Sequence, residues 1–73
     1  MSVHVEWVEA GMTGTNVAGP GSEMPDGQRI DANKVGMVLS GDDMVVIEGT
    51  VAEIDALLAH LVISFGKWKE ARS

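Results

Sequence analysis

Few side chains in this 73-residue chain can do chemistry: two histidines, five serines and eleven carboxylates, with no cysteine and no tyrosine. Without thiols there is no disulfide, no thiolate zinc site and no cysteine nucleophile. The serines, at positions 2, 22, 40, 64 and 73, stand in no Gly-x-Ser-x-Gly elbow. Neither His4 nor His60 has the spacing to a serine and an acid that would suggest a triad. His4 and Glu6 alternate onto one side of an extended segment and could offer two metal ligands, with a further acid from the neighbouring loop, but two ligands do not make a site. His60 sits beside the apolar stripe described below and reads as a surface residue. The glycine-rich stretch 14–21 has the look of a phosphate loop, yet it lacks the Lys-Ser/Thr ending and no helix follows it. Asp42-Asp43 falls between two apolar runs, where solvated turn acids are ordinary, and no calcium-loop spacing surrounds it. The expectation is a protein that is not an enzyme, with no cofactor, no metal and no small-molecule substrate.

Eleven acids against five bases give a net charge of −6. That argues against nucleic-acid binding, because phosphate contacts need a basic surface. The charge is uneven: residues 1–66 hold ten acids and only Arg29 and Lys34, whereas 67–73 hold Lys67, Lys69 and Arg72 against Glu70. No apolar run approaches the roughly 20 residues of a membrane span. The first residues have neither a basic n-region nor an apolar h-region, so they do not read as a signal peptide. No membrane association and a cytoplasmic location (or a virion, for a phage component) are expected.

Residues 2–9 alternate, with Val3, Val5 and Trp7 on one side and His4 and Glu6 on the other, which predicts a half-buried strand. Residues 11–27 contain five glycines and both prolines and read as a long loop, with a turn at Pro25-Asp26-Gly27. Residues 29–39 and 44–48 are β-rich and are separated by Ser40-Gly41-Asp42-Asp43, which predicts a hairpin. Thr50-Val51-Ala52-Glu53 matches a capping box and opens a helix over 51–72. Its acids lie early and its bases late, as the helix dipole favours. Gly66 could end it, but the apolar spacing runs on, so continuation through Trp68 with a kink at Gly66 is the better reading.

The fold class expected is α+β: a small, largely antiparallel three-stranded sheet in β–long loop–β–β–α order, with one long C-terminal amphipathic helix on one face, all in one domain, 1–73. The core expected is Val5, Trp7, Val35, Met37, Val45, Ile47, Ile54, Leu58 and Leu61, so that Leu58→Asp should abolish folding.

The strongest constellation is the helix stripe. Val51, Ile54, Leu58, Leu61, Phe65 and Trp68 step by 3, 4, 3, 4, 3, the spacing of a helix–helix seam. With strands about 4.8 Å apart and a helical pitch of about 5.4 Å, a three-stranded sheet covers about two or three turns of a stripe that runs for nearly five. The distal part should overhang. Leu61, Phe65 and Trp68, rimmed by Lys67, Lys69 and Arg72, are therefore the expected partner-binding residues. Two functions fit. One is a non-catalytic, self-associating structural or protein-interaction module, such as a component of a phage particle, whose partner is itself or another protein. The other is an acidic regulator or inhibitor of a cellular protein, presenting carboxylates as a nucleic acid presents phosphates.

Overall fold

The computed structural model describes residues 3–72. The β-branched and methionine-rich run after Lys34 forms two strands, β2 (Val35–Ser40) and β3 (Met44–Gly49), joined by a tight turn in which the Gly41 N–H donates to Asp43 O at 3.0 Å. A further strand, β1 (Gly14–Ala18), lies on the other side of β2, so the antiparallel sheet has the order β1-β2-β3. The register sets Val17 against Met37 and Met37 against Ile47, and Asn16 against Val38 and Val38 against Val46. Directly opposed residues share a face. One face thus carries Ala18, Gly36, Val38 and Val46, and the other Val17, Met37, Leu39, Val45 and Ile47.

The first face is covered by the connection from β1 to β2, which doubles back as a small ladder. The Gly21 N–H donates to Ile30 O at 2.9 Å, the Ile30 N–H to Ser22 O at 2.8 Å, and the Met24 N–H to Gln28 O at 2.7 Å. At its tip Gly27 adopts φ 91° and the Gln28 N–H donates to Asp26 Oδ1 at 3.0 Å, so Pro25-Asp26-Gly27 is the turn its residue types favour. The ladder delivers Ile30 onto the sheet, where it is buried with Ala18 and Val38 while Met24 packs alongside. Gly36 makes room: a Cβ there would stand 2.8 Å from Ile30 Cδ1 and 3.1 Å from Val46 Cγ1.

The second face meets the helix α1 (Val51–Arg72). Gly49 and Thr50 turn the chain out of β3, and Ile54 closes over the Gly49 end of that face, its Cδ1 3.6 Å from where a Gly49 Cβ would lie. Ile54 is the one helix residue that is buried. The helix touches β2 and β3, then runs on past the sheet without interruption at Gly66.

The α+β class, the hairpin and the helix limits agree with expectation, and three details do not. Residues 3–9 of the expected 2–9 strand belong to no strand (residue 2 lies outside the described residues), and a short 3-10 turn, Ala10–Met12, follows them. The first strand lies inside the stretch 11–27 expected to be loop. The 29–39 strand begins only at Val35, because 29–34 returns from the ladder. The core shifts accordingly. Val5 and Trp7 are exposed, Trp7 to 87%, and so are Leu58 and Leu61; Val35, Met37, Val45 and Ile47 are half-buried; Ala18, Ile30 and Val38 join Ile54 as buried residues. The alternation of Val3, Val5 and Trp7 satisfies the period of a strand, but these residues join neither edge of the sheet.

Candidate functional site

The helix starts on a reciprocal cap. The Glu53 N–H donates to Thr50 Oγ1 at 3.2 Å, and the Thr50 N–H donates to Glu53 Oε1 at 2.9 Å. These hydrogen bonds, the one from the Thr50 backbone first, hold the Glu53 carboxyl below its ordinary pKa, and the Lys34 charge adds to the effect. Anchored by this cap and by Ile54, α1 buries no other residue along its length among the described residues. Leu61, Val62, Phe65 and Trp68 are all more than half exposed. Ile63 is exposed as well, so apolar residues extend beyond the stripe and the helix is less cleanly amphipathic than its spacing implies.

At the distal end the side chains organise one another. The Phe65 and Trp68 rings stack with centroids 5.8 Å apart and planes 15° apart. Lys69 Nζ sits 5.2 Å from the Phe65 centroid, and Arg72 Cζ sits 4.7 Å from the Trp68 centroid. Exposed cation–π contacts of this kind stabilise by about 0.5–1 kcal/mol each. The cluster therefore orders four side chains into one patch, with two cations flanking two aromatic faces. Leu61 lies one turn back on the same side. Lys67 does not join it. Lys67 lines a shallow depression round the helix with Ile63, Gly66, Lys69 and Glu70, and the cations that sit on the aromatic rings are Lys69 and Arg72. Sequence reasoning missed the two cation–π pairs, although both are i,i+4 spacings, which place side chains together on a helix.

The other candidate places hold less. A depression of about 330 Å³ lies between the ladder and β3, floored by Met24, Ile30, Met44 and Val46 and edged by Asp26, Arg29 and Glu48; it contains no histidine and no nucleophile. His4 and Glu6 contact each other in the exposed N-terminal segment. Among the described residues no three histidine or carboxylate side chains gather as a metal site would need. The glycine-rich stretch from residue 14 is β1 and the turn after it, not a cradle ahead of a helix. Among the described residues no helix is long and apolar enough to cross a membrane.

Compared with family models, curated proteins and solved structures, the chain matches none of them.

Proposed function

We propose that this chain is a non-catalytic, self-associating structural or protein-interaction module that contributes to a larger assembly, with the distal half of α1 as its contact surface. The observation that carries the reading is the mismatch between the molecule's size and its surface. A compact monomer of 7.7 kDa exposes about 4,300 Å²; this chain exposes 6070 Å². Its radius of gyration is 14.4 Å, against about 11 Å for a compact chain of this length. The excess, about 1,700 Å², is of the order that each protomer buries in an obligate dimer. Exposed apolar side chains gather on the distal helix at Leu61, Val62, Phe65 and Trp68 and also in the N-terminal stretch at Val3, Val5, Trp7 and Met12; on the helix they include stacked aromatics flanked by cations, the residue types that dominate binding interfaces.

The buried cluster is small, and a cysteine-free domain with a core this small gains from association. A component of a particle, such as a phage structural protein, has that economy: a minimal sheet that carries one sticky helix.

Sedimentation equilibrium on the full chain tests the reading. The expected result is reversible association, weakened at least about thirtyfold by Phe65→Ala with Trp68→Ala. A chain that stays monomeric at high concentration, yet is held by a single basic protein that salt releases, would favour the acidic-regulator reading instead.

A further inference from the structure

The residues that border the helix stripe are arranged in a way that selects one geometry of association. With Val51, Leu58 and Phe65 at the a positions of a heptad and Ile54, Leu61 and Trp68 at d, the flanking e positions are Asp55, Val62 and Lys69, and the flanking g positions are Leu57, Ser64 and Ala71. Parallel helices bring e beside the partner's g, and antiparallel helices bring e beside e and g beside g. All the flanking charge here is at e. It is also opposite in sign and symmetric, since Asp55 and Lys69 stand seven residues either side of Val62. A parallel pair would set Lys69 near the partner's Ser64 and Asp55 near the partner's Thr50, neither of them charged.

We infer that the partner of α1 is α1 of a second copy, laid antiparallel about a two-fold axis near Val62, with Asp55 of each copy beside the partner's Lys69. This rests on the self-association reading above and specifies its geometry. Three further features agree with it.

The first is side-chain size. With the two-fold near Val62, Leu58 faces the partner's Trp68 and Leu61 faces the partner's Phe65, so each large ring meets a smaller side chain, as close packing requires. A parallel, in-register pair would stack Trp68 on the partner's Trp68 and Phe65 on the partner's Phe65.

The second is gross charge. Residues 1–66 carry ten acids and two bases, and the helix end carries Lys67, Lys69 and Arg72 against Glu70. Antiparallel packing lays each basic end along the acidic body of the other copy and opposes the two helix dipoles. Parallel packing would set the two acidic sheets side by side.

The third is space. The stripe is closed by the sheet only at Ile54, and Leu58, Leu61, Phe65 and Trp68 remain open to a neighbour.

The experiment uses the full chain and reads association by sedimentation equilibrium, with circular dichroism confirming that each variant is folded. Asp55→Lys and Lys69→Asp alone should each weaken self-association by roughly tenfold, because each creates two like-charge pairs by symmetry. Mixing the two variants should restore association as a heterodimer, which no loss of fold could mimic. Because the chain has no cysteine, directed oxidation gives an independent readout: Val62→Cys should cross-link to its own copy, and Asp55→Cys should cross-link to Lys69→Cys but not to itself. A wild-type chain that associates while the mixture stays weak, or while Val62→Cys fails to cross-link, overturns the antiparallel geometry and leaves self-association standing. A wild-type chain that never associates overturns both.

Discussion

Thr50 and Glu53 exchange hydrogen bonds at 2.9 and 3.2 Å, each backbone N–H donating to the other residue's side-chain oxygen. This reciprocal cap fixes the point where the chain leaves the sheet and so fixes the direction in which the long helix projects. Removing the Thr50 hydroxyl leaves the Glu53 N–H without its intramolecular acceptor. Thr50→Ala should therefore cost about 1 kcal/mol of stability, seen as a fall in thermal midpoint of about 5 °C.

The same cap predicts a pH dependence. The folded state lowers the Glu53 pKa, so the folded state favours the ionised form. The stabilisation is complete above the ordinary glutamate value, about pH 4.3, and is lost as the pH falls from there through the lower folded value. The measurement is thermal stability against pH for the wild type and for Glu53→Gln, whose amide oxygen can keep the Thr50 bond without titrating. The wild type should lose more stability on acidification than the variant. Parallel curves would show that the cap does not titrate.

Two glycines make opposite predictions. Gly36 lies beneath Ile30 and Val46, and a Cβ would stand 2.8 Å and 3.1 Å from their methyl groups. The Ile30 methyl ends a flexible side chain, but Ile30 is only 4% exposed and the β-branched Val46 is stiff at χ1. Gly36→Ala should destabilise by about 1–3 kcal/mol. Gly66 sits inside the helix with nothing within 4 Å of an added Cβ, so Gly66→Ala should stabilise by about 1 kcal/mol. Urea titrations of both variants check the pair of signs.

The hairpin and the helix were legible because their signals are local: adjacent apolar runs around a Gly-Asp turn, and a capping box ahead of an unbroken stripe. The first strand was not, because what makes residues 14–18 a strand is not local. Glycine, asparagine and alanine, three of its five residues, are weak strand formers, and this segment pairs because β2 offers an edge and because the ladder after it carries Ile30 over Ala18. Residues 3–9 show the converse case, with good strand chemistry and no strand pairing. At the candidate site, the apolar spacing located the overhanging face correctly, but the division of the cations did not follow from order in sequence. Lys69 and Arg72 join the aromatic rings through i,i+4 spacing, whereas Lys67, beside Trp68 in the chain, lines a shallow depression with Lys69 and Glu70.

The altered core changes what Leu58 does. Sequence periodicity gives it a central core role, yet it is 41% exposed while Ile54, one turn earlier, is 7% exposed. Ile54→Ala should therefore destabilise the monomer by about 2–4 kcal/mol. Leu58→Asp should leave the helical circular dichroism in place and lower association, because the new carboxylate would be desolvated only when a partner covers the stripe. A Leu58→Asp chain that is unfolded at low concentration would return this residue to the core.

The two tryptophans test the proposed interface without any added probe. Trp68 is 53% exposed on the helix stripe and Trp7 is 87% exposed in the N-terminal segment. Association through α1 removes Trp68 from water and leaves Trp7 in it. With Trp7→Phe, which leaves Trp68 as the only indole, fluorescence should shift to the blue as the concentration rises through the association range. With Trp68→Phe, which leaves Trp7, it should not shift. The shift should follow the same concentration dependence as the mass, because burial of one ring and formation of the pair are one event. If instead Trp7 shifts and Trp68 does not, the contact surface is the N-terminal segment and the helix stripe is not the seam.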